Sequence, residues 1–423
     1  MRERKHAAKA LVALLIAAAM LLGGCGEKTI TPSAEELSTR SAAAGFLAAK
    51  VEKSGGFIAS DAQRDKTADY AYLYDNALAA VLLSRVGAQA HAEIIADAIV
   101  FAQTHDRTFH DGRLRNTYLS GDPQSDSGRS IASGKVTIRI PGFWQNGRWQ
   151  EDAYTVSTST GNMAWTILAL CATAKNASQE KRAEYLEAAQ RAADFVLGLK
   201  SDNGGFTAGY EGWDEAQTKV TYQSTEHNID LYCAFSALAR ALETTDPERA
   251  AAYREAADWA KAFVLAMYDP ELHCFYTGTE NDGRTVSDAV IPLDTNSLAV
   301  LALGGELADA APVLGFVEER MTVGEGFDFS AGDLDGIWNE GTAQMAVCYL
   351  MLGDTERYER IMAYLQTQTD KDGSMPAADR DGLSTGFVIA GSEMLWEYNN
   401  AQSIGATGWL AFAQLGLNPF DIG

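Results

Sequence analysis

Carboxylates are scarce inside apolar helices because an unpaired charge is costly to bury, so their placement in this chain asks for an explanation. Five apolar helical runs open with polar groups: Asp75 and Asn76; Asn162; Glu226, His227, Asn228 and Asp230; Asp294, Thr295 and Asn296; Glu340 and Thr342. Each alone suits a helix start, where such side chains cap free amides and complement the helix dipole. Brought together they could do more. One protonated and one ionised carboxyl flanking a glycosidic bond are what its acid/base cleavage requires. Glu226 and Glu340 are the first candidates, since the longer side chain reaches further into a shared opening. Asp75 follows, because the aromatic neighbours in Tyr72-Leu73-Tyr74-Asp75-Asn76 would desolvate its carboxyl and raise its pKa. Asp230 lies one turn below Glu226, placed to orient His227 or to tie helices together, and Asp294 fits a cap at least as well as a catalyst.

A second group of residues has the chemistry of a sugar cleft. The insert before Asn162 holds short strand-like pieces at 113–118 and 135–140 and then Phe143-Trp144-Gln145-Asn146-Gly147-Arg148-Trp149, leading to Glu151 and Asp152. Trp144, Trp149, Trp213, Trp338, Trp396 and Tyr398 supply flat apolar faces for pyranose rings, beside amides and carboxylates for the hydroxyls. Asp152 is a reserve candidate for a base. No phosphate-binding loop, dinucleotide fingerprint or nucleophile elbow is present, and the six histidines are too scattered for a metal cluster. Neither metal nor cofactor is expected.

The elements that must position these residues come in pairs. Runs at 72–86, 162–174, 228–242, 295–303, 342–352 and 404–415 are apolar nearly all round, whereas 34–53, 91–104, 179–200, 247–267, 307–321 and 355–369 are one-faced and charged. Helices apolar on all sides are buried and one-faced helices cover them, which predicts an inner ring inside an outer ring. Turns from an apolar helix to its partner are short, at 87–88, 176–177 and 353–354. Return connections are long, at 105–157, 201–225, 269–292, 322–338 and 370–403, and all fall on the face that holds the inner helix starts.

This pattern, with Gly55-Gly56-Phe57, Gly204-Gly205-Phe206 and the Trp-Asn-Glu-Gly-Thr-Ala-Gln segment at 338–344, resembles the six-hairpin glycosidase superfamily over essentially everything after residue 34. The resemblance implies an all-α fold, an (α/α)6 toroid with short β hairpins in the loops on one face, and an enzyme hydrolysing glycosidic bonds. Toroidal polysaccharide lyases share the architecture, and His227, Asn228 and Tyr222 could be fitted to that chemistry; a non-catalytic glycan-binding protein is the third reading. The substrate-binding set expected is Tyr74, Asn76, Trp144, Trp149, Asn162, His227, Asn228, Asp230, Asp294, Trp338 and Trp396.

The amino end reads as an export signal: Arg2, Arg4, Lys5 and Lys9 precede an apolar run at 10–22 too short to span a bilayer. Leu22-Gly23-Gly24-Cys25 resembles the lipobox of bacterial lipoproteins, which implies lipid on Cys25. The expected organisation is a signal peptide at 1–24, a tether at 25–33 and one toroid domain at 34–423, held outside the cytoplasm and touching the membrane through its lipid alone. With 57 acidic against 34 basic residues and a net charge of −23, nucleic acid is a poor partner; neutral or cationic carbohydrate fits better. Cys171, Cys233, Cys274 and Cys348 read as small core residues.

Overall fold

The computed structural model describes residues 31–61, 68–125, 138–213, 216–307, 310–389 and 393–422. The chain divides at Pro32/Ser33, and the larger unit, Ser33–Gly423, is the one considered below. Cys25 and residues 135–137 lie outside the described residues. The described residues form fourteen α-helices and only short strands, an (α/α)6 toroid with β hairpins in its loops.

Six inner helices, Leu73–Arg85, Thr160–Ala174, Thr225–Leu242, Leu293–Leu303, Asn339–Met351 and Ile404–Leu415, each pack on the next, and the last closes onto the first. Almost every residue of the first, second, fourth and fifth is buried. Their small and aliphatic side chains leave no polar stripe, so the only stable place for them is between other elements. The outer helices Ala42–Ser54, Gln89–Thr104, Gln179–Leu197, Pro247–Ala266, Ala311–Met321 and Thr355–Gln368 cover this ring and show one buried face each. Two expected boundaries shift. The run at 34–53 is two helices, because Ser33 caps Ala34–Ser38 and Ser41 caps a fresh start at Ala42. The fifth outer helix begins at Ala311, after a 3-10 turn at Gly304–Glu306.

A repeated device fixes the ring to its long loops. The fourth residue of each inner helix takes the backbone N–H of the chain arriving from the preceding outer helix. Asn76 Oδ1 accepts from Ile58 at 2.8 Å, Asn228 from Phe206 at 2.8 Å and Asn296 from Phe275 at 2.8 Å. Thr342 Oγ1 accepts from Phe327 at 3.0 Å and Thr407 Oγ1 from Met375 at 3.0 Å, while the Met163 sulfur takes the same position against Leu114 at 3.3 Å. The amide Nδ2 of Asn76 returns a bond to Ile58 O, and that of Asn228 to Phe206 O. Buried backbone groups need partners, and one residue per hairpin supplies them, a polar side chain in five and the Met163 sulfur in the other.

The long insert is anchored by a buried ionic network. Arg115, among the largest fully buried side chains, holds Asp106 at 2.6 Å and pairs also with Glu151, which Arg107 bonds at 2.7 Å. The expected strand at 113–118 reduces to Thr117–Leu119, paired antiparallel with Tyr70–Tyr72, and 138–140 form no strand. All four cysteines considered above are free and buried. No helix among the described residues is long and apolar enough to cross a membrane.

Candidate active site

If the fourth residue of each inner helix faces back toward the loop, the second residue faces the axis. Those second residues are Tyr74, Gly161, Glu226, Asp294, Glu340 and Gly405. Three consecutive helices therefore present a carboxyl at the mouth of the ring, and two positions hold glycine because a neighbour fills their space. A β-carbon on Gly405 would meet Glu340 Oε2 at 2.5 Å and Asp75 Oδ1 at 3.0 Å; one on Gly161 would meet the His227 ring at 2.6 Å. Glu340 thus reaches across the sixth helix toward Asp75 on the first.

Glu340 is 8% exposed. Its Oε1 accepts a bond from the Tyr74 hydroxyl at 2.7 Å, and the Trp409 indole donates to that hydroxyl at 2.8 Å. Burial raises the Glu340 pKa to about 7, the Tyr74 bond opposes the rise, and Asp294 adds to it. Asp294 is pushed up to about 6 by burial, against the pull of Thr295, whose N–H donates to Oδ1 at 2.7 Å. Glu226 keeps a partly exposed surface, and burial of its carboxyl, then the charges of Asp294, Asp230 and Glu340, hold its pKa well above the ordinary value. Asp75, 8% exposed, is raised strongly by burial, opposed by Ser60 and helped by Asp61 and Glu340. Four acids, all with raised proton affinity, thus share one end of the ring.

Several expected contacts do not survive. Asn76 and Asn228 are fully buried clamps for the loop backbone and touch no opening. Asp152 caps the short helix Ala153–Val156, accepting from the Tyr154 and Thr155 amides and the Thr155 hydroxyl, so it is committed to structure. Trp338 is 2% exposed and wedged against Gly341, so it offers no face to a sugar; it supports Tyr398, stacked on it at 5.5 Å. Asp230 is fully buried and does not orient His227. That ring meets Ser159 Oγ at 3.3 Å, and burial lowers its pKa to about 4, leaving it neutral in ordinary conditions. Trp149 packs over Gly142 at the base of the Phe143–Gln145/Arg148–Gln150 hairpin. The Trp144 side chain lies outside the described residues.

Asn162 remains partly exposed, its amide donating to Asn116 Oδ1 at 2.9 Å. Trp396 is partly exposed and meets Tyr154 at 4.9 Å, and Tyr154 in turn meets Tyr72 at 6.2 Å, an aromatic rim on the side of Asp75. Tyr398 follows on the same strand, its phenol raised by burial and by the charges of Glu340, Asp294 and Glu226. The sequence placed it among the cleft aromatics, but not beside the three axial carboxyls, whose charges it feels here. The Tyr74–Trp409 chain was equally hidden, although aligning the six helices on their fourth residues would have marked the second ones. A further trio, Asp328, Asp333 and Asp335, has oxygens within 4.8 Å of one another. Asp328 spends both oxygens on the Phe329 and Asp335 amides. Two hollows of about 220 and 490 Å³ open at the other end of the ring, beside Tyr232, Cys233 and Leu301. None of the raised carboxyls lines them.

No protein-family model matches the chain, and no curated protein matches it in sequence. Solved structures do match in shape. A glycosidase variant in complex with glucose superposes with a TM-score of 0.60 at 15% identity, over 90% of this chain and 98% of its own. A novel α-amylase from Clostridium perfringens gives 0.59 at 12% identity, over 88% of this chain and 97% of its own. Cellobiose 2-epimerase from Bacillus thermoamylovorans gives 0.58 at 11%, over 87% and 95%. At such identities the likeness establishes the fold alone, the (α/α)6 toroid, and the proteins that share it here carry more than one carbohydrate chemistry by name.

Proposed function

We propose that the protein is an exported, lipid-anchored glycoside hydrolase that uses Glu226 and Glu340 as its acid/base pair. The observation that carries this is the presentation of Glu226, Asp294 and Glu340 on the second residues of three neighbouring inner helices, all with raised proton affinity. Glu226, kept protonated by burial and by three surrounding carboxyls, donates to the leaving glycosidic oxygen. Glu340, ionised above about 7 and steadied by the Tyr74 hydroxyl, acts on the opposite face as base or nucleophile. Tyr74 and Asp75 position Glu340, and Trp396 with Tyr154 receives the sugar chain. The glycosidase and amylase among the shape matches, whose names place them on carbohydrate, support this reading.

Digestion of a glycan panel read by mass spectrometry tests it. Wild type is expected to release fragments with one water added per cut, and Glu226→Gln and Glu340→Gln each to lose on the order of 100-fold or more in turnover while still binding. Fragments absorbing in the ultraviolet would mark elimination and reject hydrolysis. Unchanged cellular activity in both variants would reject catalysis altogether.

A further inference from the structure

The site has a floor as well as a rim. One turn beneath each second residue stands the sixth residue of the same inner helix. These are Leu78, Trp165, Asp230, Leu298, Gln344 and Trp409, all buried. The two tryptophans belong to the second and sixth inner helices, which flank the first, and their rings meet edge to face at 6.3 Å. Tyr74, on the first helix, rests on both. Its ring packs edge-on against Trp165 at 5.4 Å, and its hydroxyl accepts from the Trp409 indole while donating to Glu340.

What supports Trp165 comes from the opposite end of the ring. After the sixth inner helix the chain turns through Gly416 in the left-handed region, φ 64°, and residues 417–422 cross that far end. Asn418 Nδ2 donates to Leu301 O on the fourth inner helix at 2.9 Å. Arg85, at the end of the first, donates to Asn418 O at 3.0 Å and also to Asp421 O; Lys175, past the end of the second, donates to Ile422 O at 3.4 Å. The segment so pinned raises Phe420 into the ring, where it is 7% exposed and its ring meets Trp165 at 5.5 Å. Phe420, Trp165, Tyr74 and Glu340 thus form an unbroken line of contact from the far end to the mouth. One flank of Phe420 borders the hollow of about 220 Å³, so on that side no packed side chain stands ready to take over its support.

Resting on the hydrolase reading above, we propose that Phe420 and Trp165 are positioning residues for the reaction: Phe420 props Trp165, Trp165 holds the Tyr74 ring in place, and the Tyr74 hydroxyl is thereby kept in line with Glu340. A hydrogen bond weakens steeply as its angle opens, and a packed interior relaxes only partly around a missing side chain, so a void under Trp165 is felt at the hydroxyl. Glu340 faces Tyr74 and Asp75 on the first inner helix, Glu226 on the third, Asp294 on the fourth and Tyr398 on the loop strand. Of these the Tyr74 hydroxyl is the one that hydrogen-bonds it, and that bond draws its pKa down. Loosening Tyr74 therefore raises the proton affinity of Glu340.

Carbon-13 NMR of the Glu340 carboxyl, assigned by its loss in Glu340→Gln, follows its titration in the folded protein without substrate; kcat and KM on a cleaved glycan follow the consequence. Phe420→Ala empties the space under Trp165. It is expected to raise the Glu340 midpoint above about 7, part of the way that Tyr74→Phe does, and to lower kcat about tenfold with KM nearly unchanged. Phe420→Leu refills most of that space and should recover most of both. Added to Tyr74→Phe, Phe420→Ala should move the midpoint no further, because its effect runs through the hydroxyl already removed. A midpoint unmoved in Phe420→Ala, or moved as far again in the double variant, overturns the inference. Should Phe420→Ala not fold, Asn418→Ala, which frees the segment from Leu301 with Phe420 in place, is judged by the same two outcomes. If no glycan is cut, the hydrolase reading fails while the titration still decides whether Phe420 acts on Glu340. Cleavage with an unmoved midpoint removes this inference and leaves the hydrolase.

Discussion

Glu340 sits between influences that pull its proton in opposite directions. Burial and Asp294 hold the proton on, and the Tyr74 hydroxyl, itself tied to Trp409, favours the charged form. With the pKa at about 7, activity should rise with pH through that region and fall again where Glu226 ionises. Tyr74→Phe removes the one influence that lowers the Glu340 pKa, so the rising limb of the pH–rate profile should move to higher pH; a limb that stays in place would separate Tyr74 from the acid. Asp230 makes a stability prediction. Its pKa is raised well above 3.8 in the fold, first by burial and then by Asp294, so the folded state keeps a proton that the unfolded chain releases. Its contribution is therefore lost progressively as pH rises from near that ordinary value toward the folded one. Asp230→Asn should melt at a temperature equal to or above wild type, with the gap widening toward alkaline pH; melting curves at several pH values check it.

At the scale of elements, the fourth-residue clamp explains why polar side chains stand in helices that are otherwise apolar. Asn228 accepts from the Phe206 amide and donates to Phe206 O and Ser224 O, all in the interior. Asn228→Ala leaves buried donors and acceptors without partners, and should cost about 1–3 kcal/mol in denaturant unfolding, with no change in sugar affinity beyond what lost stability causes. The ionic anchor of the insert behaves differently. Burial alone would raise the Asp106 pKa, but the Arg115 guanidinium holds it below its usual value. Arg115→Met strands Asp106 inside the protein and takes one of two arginines from Glu151, for a loss of about 3–5 kcal/mol measurable by the same unfolding. These residues also show where sequence reasoning reached its limit. An Asn at a buried helix start reads identically whether it serves a ligand or a backbone amide, and Asn76, Asn228 and Asp152 were all resolved by partners 2, 3, 18 or 22 residues away along the chain.

For the molecule as a whole, the proposed export signal and lipid at Cys25 would place an acidic mouth outside the cytoplasm, at the end of a short tether. Cys25→Ala should move the protein from the membrane fraction to the soluble extracytoplasmic fraction without altering glycan digestion; a variant still sedimenting with membrane would reject the lipid anchor. The toroid itself was readable from periodicity and loop length, because an apolar helix must be covered and a short turn must join neighbours. Both are constraints local to one hairpin, repeated six times. Which side chains meet across the ring was not local. Tyr74 and Glu340 are 266 residues apart and Trp409 and Tyr74 are 335 apart, and only closure of the ring makes them neighbours. Composition and pattern thus determined the helices, their pairing and the face that bears the long loops. Tertiary structure alone decided which acids face the axis, because that depends on the rotation of each inner helix about its own length, set by a hydrogen bond to a loop that arrives from the helix before it.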